Sequence, residues 1–163
     1  MNIANTNCCY LPGFFQIGYV SNDFDRAQQV MGEQFGISKY HHMIDLDFDD
    51  ETKICIATAY VGDTMIEIIT PEGTGKDIYS TQLPLGNDFV IRHHHFCHLY
   101  TDQLEWQHIR SLIKKHPVAY QSEMEGFIEV IYIDARAILG HYLEYVYATP
   151  AGLEMLNQAP QNG

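Results

Sequence analysis

Short apolar runs alternate with polar turns along the whole chain, and none is long enough to be more than one strand or one amphipathic helix. The run GFFQIGYV, Gly13 to Val20, is aromatic and β-branched and reads as a strand. It gives way at Ser21, Asn22 and Asp23 to a helical spacing of Ala27, Val30, Met31 and Phe35, which Gly36 ends. His41 to Phe48, Ile54 to Val61 and Met65 to Thr70 follow as strands, divided by polar turns at 49–51 and 62–63. The order is β-α-β-β-β. A stretch from Pro71 to Asn87, with Gly73, Gly75, Pro84 and Gly86, lacks any period and reads as a connection.

The same order then returns. His93 to Tyr100 is a strand, and Asp102 with Glu105 three residues on caps a helix carrying Leu104, Ile109, Leu112 and Ile113. Lys114, Lys115 and His116 suit the negative end of that helix, and Pro117 stops it. Ala119 to Glu123, Phe127 to Ile133 and Tyr142 to Tyr147 are strands, with a loop or short turn from Asp134 to His141. Thr149 and Pro150 open a last short helix, and a polar tail runs from Gln158. The predicted fold class is α+β, two tandem β-α-β-β-β modules. Their expected bounds are an N-terminal arm at 1–12, a first module at 13–71, a linker at 72–91, a second module at 92–149, and a helix and tail at 150–163.

Composition changes this picture little, but it narrows the partners. The 163 residues are 46% hydrophobic, enough to fill one compact core. A net charge of −12 repels phosphate backbones and anionic bilayers, so neither nucleic acid nor membrane is expected as a partner. No apolar run reaches the ~20 residues of a membrane helix, and Met1 to Asn7 lack the signature of a signal peptide. A cytoplasmic protein is expected. Cys8, Cys9, Cys55 and Cys97 form no CxxC pair and read as free thiols.

The chemistry lies in the repeat. Gln16 stands seven residues before Asp23, and His95 seven before Asp102, so each pair bridges a strand and a helix start. Glu67 in TMIEIIT and Glu144 in HYLEYVY sit mid-strand at nearly the same interval after Gln16 and His95. A carboxylate on an apolar strand must be paired, exposed or bound to a cation, because burying it alone costs several kcal/mol. Two such residues at matched places favour a cation. By strict alternation His93, not His94, shares the face of His95, and Phe14 and Tyr142 are candidates to line a pocket.

The runs FFQIGYVSND, MIEIITP, HHFCHLYTD and HYLEYVYAT resemble the vicinal oxygen chelate superfamily. That superfamily includes glyoxalase I, methylmalonyl-CoA epimerase, extradiol dioxygenases and bleomycin-resistance proteins. The resemblance implies an open, cupped mixed sheet in which Gln16, Glu67, His95 and Glu144 hold one divalent metal ion: zinc, nickel, cobalt or manganese. It implies a lyase or isomerase that moves a proton alpha to a carbonyl through a metal-bound enediolate, with Glu144 as first choice of base and Glu67 as second. A small-molecule substrate and a homodimer are the implied partners. Val20 and Pro71 stand where carboxylate-binding residues of glyoxalase I would be sought, which favours a small or apolar substrate over glutathione or CoA esters. The competing class is a non-enzymatic binding protein of the bleomycin-resistance type. An extradiol dioxygenase, with its two-His, one-carboxylate iron site, is disfavoured.

Overall fold

The computed structural model describes residues 13–74 and 76–163, so Cys8 and Cys9 lie outside the described residues. The first half comprises β1 (Phe14–Ser21), α1 (Phe24–Phe35), β2 (His41–Asp47), β3 (Thr52–Val61) and β4 (Thr64–Gly73). The second repeats it with β5 (Ile91–Tyr100), α2 (Gln103–Ile113), β6 (Val118–Met124), β7 (Ile128–Asp134) and β8 (Tyr142–Ala148). A short helix α3 (Arg136–Leu139) precedes β8, and α4 (Pro150–Leu156) and β9 (Gln161–Asn162) follow it. The class is α+β.

The local chemistry sets the helix bounds. Asp23 accepts from the Arg26 amide at 3.0 Å to start α1, and Gly36 ends it in the left-handed region at φ 71°. Asp102 accepts from the Glu105 amide at 2.8 Å to start α2, and Thr149 accepts from Gly152 at 3.1 Å to start α4. In the sheet, β4 runs through Pro71 to Gly73, beyond the expected end at Thr70. Its pairing with β1 stops at Ile69, so the missing amide hydrogen of Pro71 falls where that side of the strand has no partner.

The strands form one curled mixed sheet in the order β2-β3-β4-β1-β5-β8-β7-β6, a half-barrel, with β9 added beside β3. The halves meet at its middle, where β1 and β5 run antiparallel. Each of these inner strands pairs parallel with the last strand of its own half, β1 with β4 and β5 with β8.

Helices cover the convex face. Ala27 and Met31 of α1 pack with Ala57, Ala59, Ile66 and Ile68. Trp106 and Ile113 of α2 pack with Tyr100, Ile131 and Ile133. Trp106 is what fastens α2, with its ring stacked on Tyr147 and its indole N–H donating to Glu129 at 2.8 Å. Leu104 and Leu112, which the helical period pointed to, are exposed, as is Phe35 at the end of α1. The polar tail is also more ordered than its composition suggests. Asn162 Oδ1 accepts from the amides of Ser38 and Lys39 at 2.9 and 3.0 Å, and Ala159 is buried.

The concave face is filled from the connection between the halves. Tyr79 drops into the cup against Val20, Ile54 and Ile69, with Phe48 and Leu83 around it. Asp77 fixes this segment, its Oδ1 accepting from the amides of Tyr79 and Ser80, both at 2.8 Å. Burial alone would raise the Asp77 carboxyl, but these bonds outweigh it and hold it below the ordinary value.

Candidate functional site

Two rows of side chains cross the four inner strands. Glu67 of β4 stands opposite Gly18 of β1, which stands opposite His95 of β5, which stands opposite Tyr142 of β8. In the neighbouring row the order is Met65, Gln16, Cys97 and Glu144. The rows are related by the repeat: Gln16 matches His95, Glu67 matches Glu144, and the small residues Gly18 and Cys97 match each other. The four residues expected from the sequence are thus brought together on one patch of the concave face.

At the centre lies the His95 ring, wholly buried. Its Nε2 is 3.0 Å from Glu144 Oε2 and 3.3 Å from Glu67 Oε2. The ring lies across β1, and only a glycine permits this, since a Cβ on Gly18 would fall inside the imidazole. Gln16 is 4% exposed, with its amide donating to Met65 Sδ at 3.2 Å and to Glu67.

The two glutamates are held differently. Glu144 is faced by His95, the Cys97 thiol and the Tyr132 hydroxyl, which itself accepts from the Tyr79 hydroxyl at 3.2 Å. Burial would raise the Glu144 carboxyl, but the positive His95 and these donors outweigh it and hold it below the usual range. Glu67 has fewer donors, and its side chain keeps 12% exposure. Burial raises its carboxyl, the Glu144 charge adds to that, and His95 offsets only part. Burial would depress His95, yet Glu144 and Glu67 together lift it to about 9. Burial pushes the Cys97 thiol well up, which suits an inert thiol.

A histidine that the alternation rule passed over completes the site. The β1–β5 register slips between Gly18 and Tyr19, which stand opposite His95 and His93, leaving His94 as an extra residue. His94 therefore turns inward beside His95, with the two Nδ1 atoms 2.9 Å apart, while its Nε2 donates to the Ile78 carbonyl at 3.0 Å. His93, the residue expected to share the face, packs instead against Tyr19, Phe96 and His141. A second slip between Phe14 and Gln16 has the same effect, so Phe14 packs on Phe96 and His98. Tyr142 does lie inside, against His94 at 4.7 Å. No alternation can foresee such slips, although Gly18, two residues after Gln16, was a readable sign of close approach. Arg92 is engaged by the Gln82 carbonyl at 2.8 Å.

The donors suit a divalent cation in kind: one imidazole nitrogen, two carboxylates and one amide. His95 Nε2 and Glu144 Oε2 are buried and close, yet neither has a well-aligned hydrogen bond, which is the condition of polar atoms that lack a partner. Neighbouring ligands around one ion with bonds of about 2.1 Å lie roughly 3 Å apart, a spacing that His95 Nε2 and Glu144 Oε2 show at 3.0 Å. Among the described residues, no group of three or more His, Cys, Asp and Glu side chains is placed to hold a metal ion as the side chains stand.

No family model and no curated protein matches the chain. Solved structures do. A methylmalonyl-CoA epimerase from Mycobacterium tuberculosis matches with a TM-score of 0.61 at 15% identity, over 90% of this chain and 92% of that one. A Streptomyces coelicolor methylmalonyl-CoA epimerase in complex with 2-nitronate-propionyl-CoA matches with a TM-score of 0.56 at 14% identity, over 85% and 98%. The chain has the glyoxalase-like fold of these epimerases. A hypothetical protein from Bacillus halodurans is similar to it as well, with a TM-score of 0.54 at 14% identity, over 82% and 92%. Within this fold, Gln16 and His95 occupy the first strand of each half and Glu67 and Glu144 the last. Among the described residues, no helix is long and apolar enough to cross a membrane.

Proposed function

We propose that the chain is a divalent-metal-dependent isomerase or lyase of the glyoxalase type, which moves a proton on the carbon beside a carbonyl in a small substrate. The observation that carries this reading is the His95 Nε2 atom set between the Glu67 and Glu144 carboxylates on the concave face. Gln16, Glu67, His95 and Glu144 would hold the ion, one equivalent of zinc, nickel, cobalt or manganese. Such an ion supplies Lewis-acid polarisation of the substrate carbonyl. Glu67 then serves best as base, because fewer donors hold it, whereas Tyr132 and Cys97 hold Glu144 in place as a ligand. This reverses the order of the two glutamates expected from the sequence.

Two observations favour a small substrate. The cup is occupied by Tyr79, and two basic groups of the strands and helix around it are engaged, Arg92 by Gln82 and Arg136 by Asp134 at 2.7 Å. CoA esters, with which some of the epimerase structures were crystallised, would need Tyr79 displaced and other cations in reach. A cytoplasmic location and a homodimer complete the proposal.

The second reading, a non-enzymatic small-molecule binder, is favoured by a cavity of about 630 Å³ on the other face. It lies between α2 and the sheet, lined by Tyr100, Ile109, Ile113, Leu143 and Tyr145 among others.

Metal analysis of untagged protein beside His95→Ala decides between the two. About one equivalent of transition metal in the parent and little in the variant supports the enzyme, and 2-oxoaldehydes and epimerisable α-carbonyl acids are then the substrates to screen. On any active substrate, Glu67→Gln should lower kcat by 10²-fold or more with metal retained. A parent that neither contains nor takes up zinc, nickel, cobalt or manganese overturns the enzyme reading.

A further inference from the structure

His94 is the inward-facing polar residue that the proposed chemistry leaves unused, and its hydrogen bonds determine more than its own position. The Ile78 carbonyl can only accept, so the hydrogen on His94 must be on Nε2. The ring is 1% exposed and packed among Tyr79, Tyr132 and Tyr142, and among the described residues no carboxylate bonds to it to offset a second proton. Its Nδ1 is therefore a lone pair. That lone pair faces His95 Nδ1 at 2.9 Å, so the hydrogen between the two rings belongs to His95. With Nδ1–H committed there, the His95 nitrogen turned to Glu67 and Glu144 is Nε2, the atom a metal would bind.

We infer that His94 is a positioning residue: it links the Ile78 carbonyl of the connecting segment to His95 and holds the His95 ring with Nε2 toward the two glutamates. The bulge in β5 exists, in this reading, to place that acceptor. Histidines that ligate metals are characteristically oriented by a partner on their other nitrogen, and loss of the partner commonly weakens metal binding 10- to 100-fold. The partner here is a second imidazole, itself oriented by a backbone carbonyl. The inference rests on the metal reading only for its consequence; the hydrogen bond itself is testable without metal.

In metal-free, ¹⁵N-labelled protein, long-range ¹H–¹⁵N spectra at neutral pH should show His94 protonated at Nε2 alone. A scalar coupling between the His94 and His95 Nδ1 nuclei should cross the hydrogen bond. A His94 protonated on Nδ1, or no coupling, overturns the inference. The second arm is zinc affinity by chelator competition, with folding checked by circular dichroism. His94→Phe removes the acceptor and should bind zinc 10- to 100-fold more weakly. His94→Gln, whose amide oxygen can accept from His95, should recover most of the loss. Equal affinities in all three proteins overturn the positioning role. A parent that binds no zinc defeats the metal reading instead, and the nitrogen coupling then decides the His94–His95 bond by itself.

Discussion

Gly18 carries as much of the site as any ligand-type residue, though it has no side chain to contribute. Its missing Cβ is the space in which the His95 imidazole lies, between β1 and the two carboxylates. Gly18→Ala must therefore expel the ring or spread β1 from β5. An overpacked position of this kind costs about 1–3 kcal/mol, and thermal unfolding should show it. Chelator competition should also show metal uptake reduced at least tenfold, since His95 Nε2 would leave its place between Glu67 and Glu144. An unchanged midpoint and affinity would mean that the ring does not lie across β1. The residues legible in the sequence were those that obey the alternation of a strand and recur between the halves: Gln16, Glu67, His95 and Glu144. His94 was not, because an extra residue in β5 breaks the alternation where it matters. Tyr132 was not singled out and Cys97 was read only as an inert thiol, since an aromatic and a thiol on apolar strands look like ordinary packing until they are seen to face Glu144.

Among the elements, the strands and the helix starts were readable because alternation and capping are local. What escaped was set by distant partners. The connection from β4 to β5 has no period of its own, and its shape comes from Asp77 gathering the Tyr79 and Ser80 amides and from Tyr79 entering the cup. β9 is two residues long and exists only because β3 offers Tyr60 and Val61 to pair with. Asp77→Ala should loosen the segment that presents Ile78 to His94. Removing the carboxylate that serves two amides costs on the order of 1–3 kcal/mol at neutral pH. The sign of its pH dependence follows from a depressed carboxyl. Its contribution is fully present above the unfolded value of about 3.9 and is lost as pH falls through the lower folded value. The parent and Asp77→Ala should accordingly differ in melting temperature by the same amount at pH 7 and pH 5, and the gap should narrow only as the pH falls below about 4. A gap that does not narrow at all from pH 4 down to about pH 2 would remove the carboxylate's charge from the explanation.

At the scale of the whole molecule, the two edges of the sheet are unlike. β2 exposes Ile44 and Leu46, but a register slip after Met43, a left-handed Asp45 and the charge of Asp47 spoil it as a template for another strand. β6 exposes Val118 and Met124, and Phe127 lies exposed just beyond it. If copies of the chain associate edge to edge, β6 is the better surface. Light scattering should then report a dimer for the parent and for Leu46→Lys, and a monomer for Met124→Lys. The opposite pattern would place the contact on β2, and a monomeric parent would remove it.

The division of the donors between the halves has a practical consequence. Gln16 and Glu67 belong to one half, His95 and Glu144 to the other, and the seam between them is the β1–β5 ladder. The segment that joins them passes through the fully exposed Leu85. A chain cut there would hold two pieces, each with an incomplete donor set, that regain a whole one only when the ladder forms. If the donors hold a metal as proposed, such a pair is the raw material of a split reporter, in which metal uptake signals that two fused proteins have met.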